Sequence, residues 1–225
     1  AVVVNPSQDI VLGCYYMTHM IGDTDAKPTK FFSDRNEAIY NYENGTVTLQ
    51  TKIGARIDEE IVETNIGRIL FNEILPEGAD FQNETMTKKK LQQLIALVFA
   101  KYGSEATAEM VDKMKDLGFK HATRSGLSVG LDDFVIPAKK GEMIATGEER
   151  AIAVSKQYEQ GFVTDDERYE RTVAIWKEVN EQIIGALDAD LKGKVTSTNI
   201  FVDSGARGDL SQVNQIAGML GLVAD

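Results

Sequence analysis

The sequence predicts an α+β fold that is mostly α-helical, with small antiparallel β elements and one protruding antiparallel helical hairpin of coiled-coil type. Three observations carry that expectation. Residues 139–192 read as two helices folded back on a short tip. Residues 47–57 alternate apolar and polar, the period of a half-buried strand. Most of the remaining chain divides into short units of cap, apolar helical face and terminating glycine.

The hairpin organises the chain. On its first helix Ile144, Ala151, Val154 and Tyr158 share a face. On the second, Tyr169, Val173, Trp176, Asn180, Ile183 and Leu187 follow an alternating four-three spacing, a narrow seam of coiled-coil type. At the tip, Gly161 can end the first helix in a left-handed conformation. Thr164 then starts the second, with Glu167 three residues on to complete a capping box, and Asp165 and Asp166 suit the positive end of the helix dipole. A pair burying one seam is marginal alone and needs a base. The plainer alternative is a helix pair lying flat in a bundle.

The other elements follow in order. Val2-Val3-Val4 reads as a short buried strand, and the abrupt apolar start as a piece of a longer polypeptide. Asn5 is expected to cap a helix, with Pro6 in its first turn, Gln8 at the capping-box position and Ile10, Cys14, Met17 and Ile21 on one face. A polar loop begins at Gly22-Asp23. Ser33 caps a helix to about Glu43, burying Ala38 and Ile39; Asn44-Gly45 turns the chain into the strand that starts at Val47, and Ile61-Val62-Glu63 supplies its antiparallel partner. A short helix runs from Gly67 to Ile74, preceded by Thr64 and stopped by Leu75-Pro76. Thr87 caps a helix that presents Leu91, Leu94, Ile95, Val98 and Phe99; Gly103 ends it, and Ser104 caps the next, with Met110, Met114 and Leu117 inward. The run from Leu131 to Pro137 reads as a strand leading into the hairpin, and Ile200-Phe201-Val202 as short and extended. Asp209 caps a last helix, with Gln212 at the capping-box position and Gly218 at its end.

Composition narrows the function classes. In 225 residues there is no apolar run approaching the ~20 of a membrane span. No basic-then-apolar leader opens the chain, so no signal peptide is expected. One cysteine, Cys14, excludes an internal disulfide and fits a reducing cytoplasm. The net charge is −11, and residues 139–192 carry eight basic against twelve acidic side chains, so the hairpin suits a protein partner rather than DNA. The basic run Lys88-Lys89-Lys90 reads as a solvated first helical turn.

Catalytic signatures are sparse. His19 and His121 have no second metal ligand at helical spacing, and no HExxH, Walker loop, nucleophile elbow or dinucleotide fingerprint occurs. Neither a catalytic residue nor a metal site is therefore expected in this chain. One loop stands out: Gly205 and Gly208 flank Arg207 before a helix start, a combination able to hold a phosphate. The alternative is a tight turn whose arginine pairs with a carboxylate, and Asp209 favours it by repelling an anion.

Five dispersed motifs then converge. They are Asn5-Pro6-Ser7-Gln8-Asp9-Ile10-Val11-Leu12-Gly13-Cys14-Tyr15-Tyr16; Gly67-Arg68-Ile69-Leu70-Phe71-Asn72-Glu73-Ile74-Leu75-Pro76; the run from Asp116 to Asp133 with Thr123-Arg124-Ser125-Gly126; Glu167-Arg168-Tyr169 with Trp176; and Asp203-Ser204-Gly205-Ala206-Arg207-Gly208 with Gln212, Gln215 and Ala217-Gly218-Met219. In this order they resemble the largest, beta-prime, subunit of bacterial DNA-directed RNA polymerase, across nearly the whole chain. The resemblance implies a pore domain at residues 1–134 and a funnel domain at 135–225, which line the secondary channel through which nucleotides reach the active centre. It implies rim helices at about 139–192 and an F-loop at about 200–220.

The same resemblance implies substrate-channel roles for Arg207, Gln212 and Gln215. It implies factor docking at Glu167, Arg168, Tyr169 and Arg171. The partners implied are other polymerase subunits, Gre-type and DksA-type factors with inserted coiled coils and, in the whole enzyme, nucleotides; no membrane contact and no direct DNA binding by this chain alone are expected. Magnesium would belong to the complete nucleotidyltransferase, because the family's triple-aspartate motif, bridge helix and trigger loop are not in this sequence; no cofactor and no independent activity are expected of the chain. Some positions depart from the family. Glu170-Arg171 stands where several relatives have Asn-Lys, which puts an alarmone site in doubt; Asn214 and Leu220 stand where arginine is usual, and Asp209 replaces a neutral residue. Two rival readings are a free-standing helical-hairpin interaction module and a phosphate-binding enzyme built on the Arg207 loop.

Overall fold

A computed structural model describes residues 4–21, 27–191 and 196–223. Val2-Val3 and the loop start Gly22-Asp23 lie outside the described residues, as does the expected hairpin end at Lys192, while Val4, expected in a buried strand, is exposed and outside any strand. The chain divides into two compact units: residues 1–128 with 200–207, and residues 129–199 with 208–225. The described elements are mostly helices with one small sheet, the α+β class expected.

In the first unit, α1 (Gln8–Thr18) begins later than its motif implies. Gln8 takes a positive φ of 49°, which keeps Pro6 out of the helix, and Ser7 occupies the N-cap without a side-chain bond. Cys14 and Met17 are buried as expected, whereas Ile21 is exposed. The following helix, α2 (Arg35–Glu43), is capped by Asp34 rather than Ser33: Asp34 accepts from the Glu37 amide at 2.8 Å, while Ser33 donates its amide and hydroxyl to the Glu37 carboxylate.

The sheet has order β1-β2-β3, from β1 (Phe31–Phe32), β2 (Lys52–Ile57) and β3 (Glu60–Asn65). β2 and β3 pair antiparallel, with Lys52 opposite Asn65 and Ile57 opposite Glu60. The expectation of purely antiparallel strands is corrected by β1, which runs parallel to β2 with Phe31 opposite Gly54. A two-residue strand has too little local signal to be read from sequence. Val47 and Leu49 precede β2 and are still buried, in a cluster with Ile53, Ala55, Ile57, Ile66 and Ile69. The hairpin turn puts Asp58 and Glu59 at φ 49° and 73°, the mirror-image turn whose twist matches paired strands.

α3 (Ile66–Asn72) is capped by Asn65, which accepts from the Arg68 amide; Thr64, one residue earlier, lies in β3. α4 (Lys88–Ser125) starts at the expected Thr87 cap and is broken at Gly103, where φ 82° and ψ −175° are not helical. Leu91, Leu94, Ile95 and Val98 before the break, and Met110 and Met114 after it, join α1 in one core, while Phe99 turns outward.

Two glycines let α1 and α4 meet backbone to backbone. A Cβ on Gly13 would stand 1.8 Å from the Gly118 carbonyl oxygen, and one on Gly118 would stand 2.7 Å from the Ile10 carbonyl oxygen. The polar groups at the C-terminal end of α1 are satisfied by Arg68, only 7% exposed, which donates from Nε to the Thr18 carbonyl at 3.0 Å and from Nη1 to the Asn83 carbonyl at 2.9 Å. The Thr18 hydroxyl accepts from the Met86 amide at 2.9 Å. Burial lowers the Arg68 pKa, so the charge is held by these hydrogen bonds rather than by solvent.

The second unit opens with a correction. Residues 131–137 form no strand: the Asp133 carboxylate accepts from the Gly130 amide at 2.8 Å and bends Leu131–Asp133 into a 3₁₀ turn. α5 (Lys140–Glu159) and α6 (Asp165–Leu191) follow. Gly147 faces Val179 and Trp176, Arg150 pairs with Glu178 at 2.7 Å, and Arg171 donates to Gln157 at 3.3 Å. Positions rising along α5 thus meet positions falling along α6, so the pair is antiparallel.

The buried stripe of α6 is Ile175, Val179, Ile183, Leu187 and Leu191. Only Ile183 and Leu187 of the expected seam belong to it; Tyr169 is exposed and Trp176 and Asn180 are half-buried. The four-residue spacing arises because α6 packs on two neighbours, α5 and α8 (Leu210–Ala217), which rotates its buried face away from the single-partner seam. A further correction concerns Ile200-Phe201-Val202, which lies in a helix, α7 (Ser197–Ser204), not an extended segment. The Thr196 hydroxyl accepts from the Asn199 amide at 3.2 Å and starts it, and Ile200 is buried with Leu12 and Tyr15.

Candidate functional site

The tip of the α5–α6 pair is built from local bonds. Gly161 has φ 77°, the left-handed conformation expected of it. The Thr164 hydroxyl accepts from the Glu167 amide at 3.2 Å, and the Glu167 carboxylate accepts from the Thr164 amide at 3.0 Å, a reciprocal capping box. Glu167 is therefore committed to the helix start. Arg168 is likewise committed: both its Nε and an Nη donate to Asp165, at 3.0 and 2.7 Å, and its guanidinium lies over the Tyr158 ring. The Asp165 carboxylate raises the Arg168 pKa, chiefly through its hydrogen bond.

What remains open on the tip is aromatic. Phe162 is 76% and Tyr169 66% exposed. Arg171 is also exposed, holding only the long contact to Gln157. Phe162 was not among the docking residues inferred from motifs; its place at the apex of a tight turn, beside Gly161, is the feature that marks it. Large apolar rings at a capped, rigid turn can anchor a protein partner, because aromatic area is buried there at little entropic cost.

The second candidate region is the loop and helix after α7. Here the sequence-derived residues separate. Arg207 belongs to the first unit, where its Nη2 lies 3.4 Å from Asp9, both side chains about half exposed. It borders a cavity of about 330 Å³ lined by Leu12, Phe119, Ala122, Thr123, Leu127 and Phe201. Gln212 and Gln215 belong to the second unit, on the exposed face of α8.

The α8 N-terminus is already closed by Asp209, whose carboxylate accepts from the Ser211 hydroxyl at 2.6 Å and the Gln212 amide at 2.9 Å. The Ser211 hydroxyl and then the Gln212 amide hold the Asp209 pKa below its usual value. The arginine–carboxylate turn is thus the arrangement found, and the amide a phosphate would use is occupied by a carboxylate.

Sequence reading passed over one polar site. His121 is 1% exposed with no partner on Nδ1, in a cavity of about 570 Å³ that also touches Tyr42, Glu43, Glu73, Lys120 and Arg124. Burial, then the neighbouring Lys120 and Arg124 charges, lower its pKa to about 4. Burial raises that of Glu73. Among the described residues no cluster of three or more His, Cys, Asp or Glu side chains is placed to hold a metal ion. No described helix is long and apolar enough to cross a membrane.

The first unit is a glycine-locked helix crossing with one mixed sheet, and the second a capped helix pair with exposed rings. The chain's ancestry is specific. Residues 1–134 match the family model "RNA polymerase Rpb1, domain 3", and residues 163–225 match "RNA polymerase Rpb1, domain 4". The chain belongs to the RNA polymerase Rpb1, or largest-subunit, family.

Among curated relatives, the DNA-directed RNA polymerase subunit beta′ of Desulforamulus reducens is 40% identical over 224 residues, covering 99% of this chain and 19% of the relative. The subunit of the same name from Bdellovibrio bacteriovorus is 40% identical over 237 residues, covering 99% and 17%. That of Sulfurihydrogenibium sp. is 38% identical over 234 residues, covering 99% and 15%. The chain therefore spans about a fifth or less of the length of these relatives.

Proposed function

We propose that this chain is the part of a DNA-directed RNA polymerase largest subunit that walls the secondary channel and docks coiled-coil factors at the channel mouth. The observation that carries the docking role is the α5–α6 tip: a capping box fixes its backbone, while Phe162 and Tyr169 stand exposed on it. In this reading Tyr169, Phe162 and Arg171 meet the partner, and Glu167 and Arg168 shape the surface they stand on. Arg207, Gln212 and Gln215 face the channel. The Arg207–Asp9 pair is exposed and weak enough to open when a triphosphate passes. Other subunits of the polymerase are partners, the setting is the bacterial cytoplasm, and magnesium and the nucleotidyl-transfer chemistry are supplied elsewhere in the enzyme. The isolated chain is then neither a polymerase nor a nucleotide binder.

The test uses complete polymerase carrying this chain and a Gre-type factor from the same source. Tyr169→Ala with Arg171→Glu is expected to weaken factor binding about tenfold or more, the loss of one anchoring contact. Unchanged affinity sinks the docking role. Glu167→Lys is a poor probe, because it also breaks the Thr164 capping box.

A further inference from the structure

α8 is a short helix with two faces. Val213, Asn214 and Ala217 are buried, while Gln212 and Gln215 are exposed. Asn214 is the anomaly, a polar side chain only 4% exposed in a cluster of aliphatic groups. Its amide is fully used. Nδ2 donates to Asn180 Oδ1 on α6 at 2.9 Å and to the Met219 carbonyl at 2.9 Å, and Oδ1 accepts from the Met219 amide at 3.4 Å.

Those backbone partners settle which way the amide points. A carbonyl can only accept and an amide N–H can only donate, so Met219 fixes Nδ2 and Oδ1, and Asn180 must present its oxygen. The first helix of the pair adds another tie: Lys140 Nζ, at the start of α5, donates to the Ala217 carbonyl at 3.2 Å. Gly218 closes the arrangement, since a Cβ there would stand 2.1 Å from Asn214 Oδ1 and 2.9 Å from Ile183 Cγ2. Apolar packing alone tolerates sliding and rotation of a two-turn helix. Directional hydrogen bonds from a buried amide do not, because a slip leaves donor and acceptor unpaired.

We infer that Asn214 and Asn180 are positioning residues: a one-way amide clasp that references α8, and with it the direction of Gln212 and Gln215, to the α5–α6 pair. The functional half rests on the proposed channel-facing role of α8. With both in place, a load on the hairpin reaches the channel face through Asn180 and Lys140 rather than through compliant packing.

The polarity of the clasp supplies the test, because two isosteric substitutions differ in it. Asn180→Asp keeps an oxygen opposite Asn214 Nδ2. Asn214→Asp removes the donor to the Met219 carbonyl, which can only accept, and sets two acceptors against each other. In complete polymerase carrying this chain, amide hydrogen exchange across residues 208–219 is expected to accelerate about tenfold with Asn214→Asp or Asn214→Ala, the size of one lost buried hydrogen bond. Asn180→Asp is expected to leave exchange unchanged, and Lys140→Met to give a smaller acceleration. Nucleotide KM should rise about threefold or more in the Asn214 variants with kcat little changed, a signature of lost ground-state positioning. Equal loosening by Asn180→Asp and Asn214→Asp, or no loosening by Asn214→Asp, overturns the clasp. Faster exchange with an unchanged nucleotide KM upholds the clasp and overturns the channel-facing role of α8.

Discussion

The α1–α4 crossing and the α5–α6 pair are both helix-on-helix contacts, built in opposite ways. At the first, Gly13 and Gly118 remove their side chains so that backbones touch, and Val11, Cys14, Met17, Met110 and Met114 close around the crossing. At the second, α5 contributes Gly147 as its one buried residue, and most of its surface stays in solvent. Close backbone approach leaves no slack, so the crossing is rigid. A one-sided seam leaves surface free, so the tip of the pair keeps exposed rings while its buried side is shared with α8. The lesson is that the conserving of space and the offering of surface fall to different helix pairs within one chain.

Breaking the crossing should have the largest effect. Gly13→Ala places a methyl where the Gly118 carbonyl stands, so α1 and α4 must part, at a cost of roughly 3–5 kcal/mol, above the usual ~1–3 for overpacking because the clash is with backbone. Urea unfolding of the chain measures it; a loss below about 1 kcal/mol would show that the crossing yields easily.

The next effect is in the pair, where burial reverses the order suggested by residue size. Ile183 is fully buried and Trp176 only half, so Ile183→Ala should cost ~2–4 kcal/mol and Trp176→Ala ~1–2. If Trp176→Ala proves the costlier, the seam expected from the sequence is the better description of α6.

The most gradual effect is the pH response of His121, on the same half of α4 as Gly118. Its folded pKa of about 4 lies below the ordinary value of 6.5, so the unfolded chain takes up a proton first. Stability from this group is whole above pH 6.5 and is lost as pH falls toward 4, by about 3 kcal/mol at about 1.4 per unit. Glu73, with its pKa raised by burial, works the other way and stabilises the folded chain as pH falls through its own titration. His121→Phe should flatten the acid limb of the stability curve; an unaltered limb would assign acid sensitivity to other groups.

What the sequence by itself determined lies within about four residues of its cause. The Thr87 and Asp209 caps, the Thr164–Glu167 box, the left-handed Gly161 and the break at Gly103 are of this kind, because each is closed by neighbours in the chain. Even there, competition shifted one cap by one position, from Ser33 to Asp34, where two adjacent polar residues could each have served. Of the motif-derived docking residues, Glu167 was legible as a capping partner, whereas the Arg168–Asp165 pair and the Arg168–Tyr158 contact were not. Tertiary structure alone decided the rest. β1 needed β2 beside it to become a strand, and the four-spaced stripe of α6 needed both α5 and α8. Asn180 reads as a seam residue until Asn214, thirty-four positions later, takes its oxygen, and Arg207 finds Asp9 across 198 positions. Periodicity along a helix records that a face is buried; which element buries it, and which polar group waits there, is set by chain segments far apart in sequence.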